Sequence, residues 1–95
     1  MNKWAVYLYN YFGYLNINIY NEQGYYYDKE GVLSQTIYKD KEELQNPEKC
    51  ITMTNYNTME TIGYVFMSDL YKHEEELLNA IIPFVEASIE IEQQK

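Results

Sequence analysis

Lys3-Trp4-Ala5-Val6-Tyr7-Leu8-Tyr9-Asn10 decides how the N-terminal half of this chain is read. Trp4, Val6 and Leu8 recur at every second position with Ala5, Tyr7 and Tyr9 between them, which is the two-residue period of a β-strand. The same alternation returns from Tyr14 to Tyr20, where Leu15, Ile17 and Ile19 form an apolar face and Asn16 and Asn18 the other. Tyr11-Phe12-Gly13 between the two runs is short enough to close a hairpin. Asn21-Glu22-Gln23-Gly24 and Asp28-Lys29-Glu30-Gly31 supply two further turns, around the runs Tyr25 to Tyr27 and Val32 to Tyr38. The reading predicts an antiparallel meander whose three turns are each closed by glycine.

Beyond it, Asp40-Lys41-Glu42-Glu43 has the spacing of a capping box, which predicts a short helix to about Asn46, ended by Pro47. Cys50 to Thr54 and Thr61 to Met67 are two more candidate strands, joined by the polar stretch Asn55-Tyr56-Asn57-Thr58. From Ser68 the period becomes helical. Leu70, Leu77, Leu78, Ile81, Phe84, Val85 and Ile91 gather in one stripe, opposite Lys72, Glu75, Asn79, Glu86 and Glu90. Ser68 is the natural N-cap, with Asp69 near the positive end of the helix dipole, and Pro83 falls on the polar side, where it would bend the helix. The expected architecture is α+β: one domain over residues 1–95, an antiparallel β-meander of four to six strands packed against one long amphipathic C-terminal helix.

A chain of 95 residues supports a single core, burying roughly 65% of its extended-chain surface. It carries twelve tyrosines and fifteen carboxylates but no arginine, and its net charge is −8. Tyr, Asn, Ile and Lys all have AT-rich codons, so base composition alone can raise the tyrosine count. It explains the acidity less well, because the same bias favours Lys as readily as Glu. The charge is also uneven. Residues 50–95 hold −6 of the −8, much of it on the C-terminal helix as Glu74, Glu75, Glu76, Glu86, Glu90 and Glu92. No apolar run approaches the ~20 residues of a membrane span, and the start lacks a signal-peptide pattern. The single cysteine, Cys50, excludes an intramolecular disulfide and fits a reducing compartment, so a cytoplasmic protein is expected.

Catalytic and cofactor chemistry finds little support. Cys50 and His73 are each single and far apart, short of the converging ligands of a metal site and a weak pair for nucleophilic catalysis. The four glycines are isolated, so no phosphate loop is present. Direct nucleic-acid binding needs a basic stripe that seven scattered lysines cannot make. The expectation is therefore no enzyme, no metal and no cofactor.

Carboxylates at helical spacing can instead occupy a groove built for phosphates, and their field would speed that association. The leading expectation is a non-enzymatic acidic inhibitor, of the phage anti-defence or toxin-immunity type, that blocks the basic surface of a nuclease or other nucleic-acid-handling protein. Glu74, Glu75, Glu76, Glu86 and Glu90 would steer, and Tyr7, Tyr9 and Tyr11, on the strand face opposite Trp4, would anchor. Two alternatives are an oligomer that sequesters a small ligand or nucleotide between aromatic rings, and a structural homodimer formed through the exposed sheet face.

Overall fold

The computed structural model describes residues 1–11, 17–55 and 57–94, with the backbone alone of Tyr11. Its elements run α1 (Lys3–Tyr11), α2 (Lys41–Leu44), β1 (Cys50–Thr54), β2 (Thr61–Phe66), a 3₁₀ turn (Met67–Asp69) and α3 (Glu74–Gln93). The four-to-six-strand meander is not formed: the described residues contain one two-stranded antiparallel sheet, and the long C-terminal helix is the part of the expectation that stands.

The largest departure is at the N-terminus, where the expected first strand is helical. Trp4 and Leu8 are four residues apart, a spacing that lies on one face of a helix as well as of a strand. Ala5 breaks the tie. In a strand it would face away from Trp4 and Leu8, whereas the helix buries all three together. Asn2 starts α1, its Oδ1 accepting from the amides of Trp4 at 3.0 Å and Ala5 at 3.3 Å, which satisfies donors that a helix end leaves open. The expected Tyr11-Phe12-Gly13 turn and residues 14–16 of the second strand involve positions outside those described.

Residues 17–38 keep the expected turns and lose the expected strands. Gly24 and Gly31 take φ of 95° and 79°. Between the turns, however, only single bridges form, Tyr20 with Tyr64, Tyr20 with Tyr26 and Tyr27 with Leu33. The reason is local competition for amides. Asn21 Oδ1 accepts from the amides of Gln23 and Tyr25, each at 3.0 Å, and Asp28 Oδ1 from those of Glu30 at 2.8 Å and Val32 at 3.0 Å. Side chains that bond the backbone two and four residues on favour turns over a ladder.

The central hairpin follows the sequence closely. β1 pairs antiparallel with β2 from Cys50 opposite Phe66 to Thr54 opposite Thr61, with an irregularity after Met53. Tyr20 and Tyr64 then exchange backbone bonds of 2.9 and 2.8 Å, laying residues 19–20 along the outer edge of β2. Gly63 permits the approach, since a Cβ there would lie 2.6 Å from Ile19 Cγ2 and 3.1 Å from the Tyr20 carbonyl oxygen.

α2 is shorter than expected. Asp40 holds its N-cap position with extended backbone, but its side chain makes no capping bond. α3 does not start at Ser68. The chain leaves the 3₁₀ turn extended at Leu70, and Glu74 and Tyr71 then bond reciprocally: the Tyr71 amide donates to Glu74 Oε1 at 2.7 Å, and the Glu74 amide to the Tyr71 carbonyl at 2.9 Å. Glu74 is the first residue of α3, so the pair closes the turn ahead of the N-cap position, which His73 holds without a side-chain capping bond. The helix runs unbroken through Pro83.

The main core unites Trp4, Ala5 and Leu8 of α1, Ile17 and Ile19, Met53, Ile62 and Val65 of the hairpin, and Leu78, Ile81, Ile82, Val85 and Ile89 of α3. A smaller cluster on the far side joins Tyr20, Leu44, Cys50 and Phe66. Phe84 and Ile91, expected in the core stripe, are instead 70% and 60% exposed. Ile82 and Ile89 take their places, because residues 78, 82, 85 and 89 share a face at spacings of three and four.

Candidate functional site

The carboxylates of α3 divide by what holds them. Glu74 is buried, 8% exposed, with one oxygen on the Tyr71 amide, so it serves the helix start more than any outer surface. Glu75 and Glu76 are exposed beside it in the first turn, where negative charge complements the positive helix end. Glu86 and Glu90 stand one turn apart on the same face and would repel. They are reconciled by the β1–β2 loop: Asn57 donates its backbone amide to Glu86 Oε1 at 3.2 Å and its side-chain Nδ2 to Glu90 Oε1 at 2.8 Å.

That pair lines one wall of a cleft of about 310 Å³ whose other sides include Glu60, Asn55, Lys3 and Trp4. A second cleft of about 530 Å³ shares Lys3, Trp4, Asn55 and Glu60 and continues past Asn2 to Gly31 and Val32. The two make one trough along the end of the hairpin, between the start of α1 and the C-terminal half of α3. Three carboxylates, Glu60, Glu86 and Glu90, border it, against one lysine, Lys3, and the amino group of Met1 among its described lining residues. Neither Glu86 nor Glu90 meets a lysine in an ion pair among the described residues. The trough thus presents carboxylates held in place among mixed polar and apolar walls, which is chemistry for binding a cationic group.

The tyrosines lie elsewhere. In a helix, residues two apart point in nearly opposite directions, so Tyr7 and Tyr9 do not form the shared outward face expected of a strand. Tyr7 is half-buried against the core and its hydroxyl donates to Glu92 Oε2 across the α1–α3 contact. Tyr9 is half-buried and its hydroxyl accepts from the Ile19 amide at 2.8 Å; burial pushes its pKa up to about 12. The side chain of Tyr11 lies outside those described.

Elsewhere, burial pushes the Cys50 thiol up, which lowers the thiolate fraction a nucleophile needs. His73 is exposed at the N-cap position of α3. Among the described residues no group of three or more His, Cys, Asp or Glu side chains is placed to hold a metal ion, and no helix is long and apolar enough to cross a membrane.

No family model, curated protein or solved structure matches the chain.

Sequence reading singled out Glu86 and Glu90 but missed Glu60, Asn57, Asn55 and Lys3 beside them. The signal was present in part. Two like charges one turn apart call for donors, and the segment from Asn55 to Asn57 is rich in them, but only the fold shows that this loop reaches α3.

Proposed function

We propose that the protein is a non-enzymatic acidic inhibitor that docks on the basic surface of a nucleic-acid-handling protein and denies that surface to phosphates. One observation carries the reading: Glu86 and Glu90 are held side by side by Asn57, border a trough with Glu60, and are neutralised by no lysine among the described residues. Like charges held in place lose little freedom when a cation arrives, so lysine or arginine side chains of a partner meet a preformed acceptor set. Glu75 and Glu76, exposed at the other end of α3, extend the field and add to steering.

The anchoring role moves from Tyr7 and Tyr9, which are engaged within the fold, to the walls of the trough. A reducing, cytoplasmic setting suits the buried lone thiol of Cys50 and is part of the same proposal. Sequestration of a nucleotide is favoured only by the size of the 530 Å³ cleft. Its chemistry gives that use little support: Lys3 is the one lysine among its described lining residues, Glu60 lines the same cleft, and Trp4 is 9% exposed, leaving little ring to stack on.

The test is capture of partners from the native host by tagged wild type and by a variant with Glu60, Glu86 and Glu90 changed to Gln. A nucleic-acid-binding protein should be retained by wild type at low salt, lost at high salt, and reduced at least tenfold by the variant. Equal retention by both forms would overturn the acidic mechanism.

A further inference from the structure

α3 has a third face that neither the core nor the acidic trough uses. Leu77, Ala80, Phe84, Ala87 and Ile91 follow one another at intervals of three and four, the a/d spacing of a helix-pairing seam. Leu77 is half-buried at its edge. Ala80, Phe84, Ala87 and Ile91 are exposed, with Phe84 and Ile91 among the most exposed large apolar side chains of the described chain. The seam contains no charged residue, so the basic surface that suits the trough has nothing to pair with here. It also alternates in size: the first seam position of each repeat is large (Leu77, Phe84, Ile91) and the second is small (Ala80, Ala87).

We propose that this face pairs antiparallel with the same face of a second copy of the chain. Antiparallel helices set the first seam position of one against the second position of the other. Here that places Phe84 against Ala87 of the partner subunit and Ala80 against Ile91 of the partner subunit, each large side chain filling the space above a small one. Charge supports the same register. Of the carboxylates flanking the seam, Glu90 comes opposite the uncharged Pro83 of the partner subunit. Sliding the register by one heptad would instead oppose Glu76 and Glu90 across the interface. Parallel pairing would set Phe84 on Phe84 and leave a gap between the two copies of Ala87. The pairing leaves Glu60 and Glu86 clear of the seam and Glu90 at its edge, so a dimer would display two troughs.

Sedimentation equilibrium of the full chain across micromolar to millimolar concentrations tests the proposal. Wild type should dimerise, and Phe84→Ser with Ile91→Ser should weaken the dimer at least tenfold with an unchanged circular dichroism spectrum. Ala87→Glu, at an exposed position no core contact needs, should abolish it. A wild type that stays monomeric throughout, or a dimer indifferent to Ala87→Glu, would overturn the proposal. Orientation is read by a spin label on Glu75→Cys, buried Cys50 being shielded from the reagent. The antiparallel register places the two labels about 30 Å apart along the axis, from a rise of about 1.5 Å per residue. A separation near 10 Å would mean parallel helices and sink the register.

Discussion

The hydroxyl of Tyr9 accepts a hydrogen bond from the backbone amide of Ile19 at 2.8 Å, tying the last turn of α1 to the segment that borders β2. Tyr9→Phe keeps the ring and strands the amide. It should cost about 1–3 kcal/mol, the range for leaving a buried donor unmet. Chemical denaturation of the two proteins side by side measures it.

The same tyrosine predicts an alkaline limb. Its pKa rises from 10.0 to about 12 on folding, burial being the chief cause and the Ile19 bond partly opposing it. The neutral phenol is therefore favoured by the fold: its contribution is fully present below pH 10 and is lost as pH rises from about 10 to 12. Allowing for solvent screening of a half-buried group, the loss is on the order of 1–2 kcal/mol. Unfolding midpoints between pH 9 and 12 should fall in wild type and fall less in Tyr9→Phe.

Asn2 separates the helical N-terminus from a strand. As N-cap it should make Asn2→Ala destabilising by about 1 kcal/mol, plus a further ~1 kcal/mol from the 3.1 Å bond of Nδ2 to the Ile62 carbonyl. Thermal melts read the loss, and amide exchange should accelerate first in α1. A neutral substitution would mean that residues 3–11 are not capped there.

Gly63 is predicted to reject even a methyl group. Ala would bring its Cβ within 2.6 Å of Ile19 Cγ2 and 3.1 Å of the Tyr20 oxygen, and only the isoleucine can give way. Gly63→Ala should cost about 1–3 kcal/mol, as overpacking does. The amides of Tyr20 and Tyr64, which bond each other's carbonyls, should lose exchange protection together.

Asn57 should matter more to Glu86 and Glu90 than to the loop that carries it. Asn57→Ala removes the side-chain donor and leaves the two carboxylates to repel, at a cost of about 0.5–1.5 kcal/mol. A second change, Glu90→Gln, should then recover a few tenths of a kcal/mol in that background while being neutral or unfavourable in wild type. A double-mutant cycle by denaturation detects the sign change.

What was legible in the sequence, and what was not, follows from which residues served two periods. Cys50–Thr54 folds as read, and the strand read from Thr61 to Met67 forms as far as Phe66, Met67 passing into the 3₁₀ turn. Trp4 and Leu8, four apart, satisfy strand and helix alike, and the decision rested on Ala5 and Asn2, a small residue and a cap outside the pattern. On α3 the acidic face was read correctly at Glu75, Glu86 and Glu90, whereas Phe84 and Ile91 were assigned to a core that Ile82 and Ile89 fill. Two apolar faces on one helix look like one broad stripe until packing chooses between them. Of the candidate site, Glu86 and Glu90 were visible as an unrelieved pair; the trough was not, because Glu60 reaches it from the β1–β2 loop and Lys3 from α1, both remote in sequence from α3.

Displacement of nucleic acid from the captured partner tests the central claim most directly. Labelled duplex or single strand is bound to that partner and titrated with wild type and with the Glu60→Gln, Glu86→Gln, Glu90→Gln variant. The account predicts full, stoichiometric release by wild type, weakening with added salt and reduced at least tenfold in the variant. Nucleic acid that stays bound while wild type saturates the partner would contradict it.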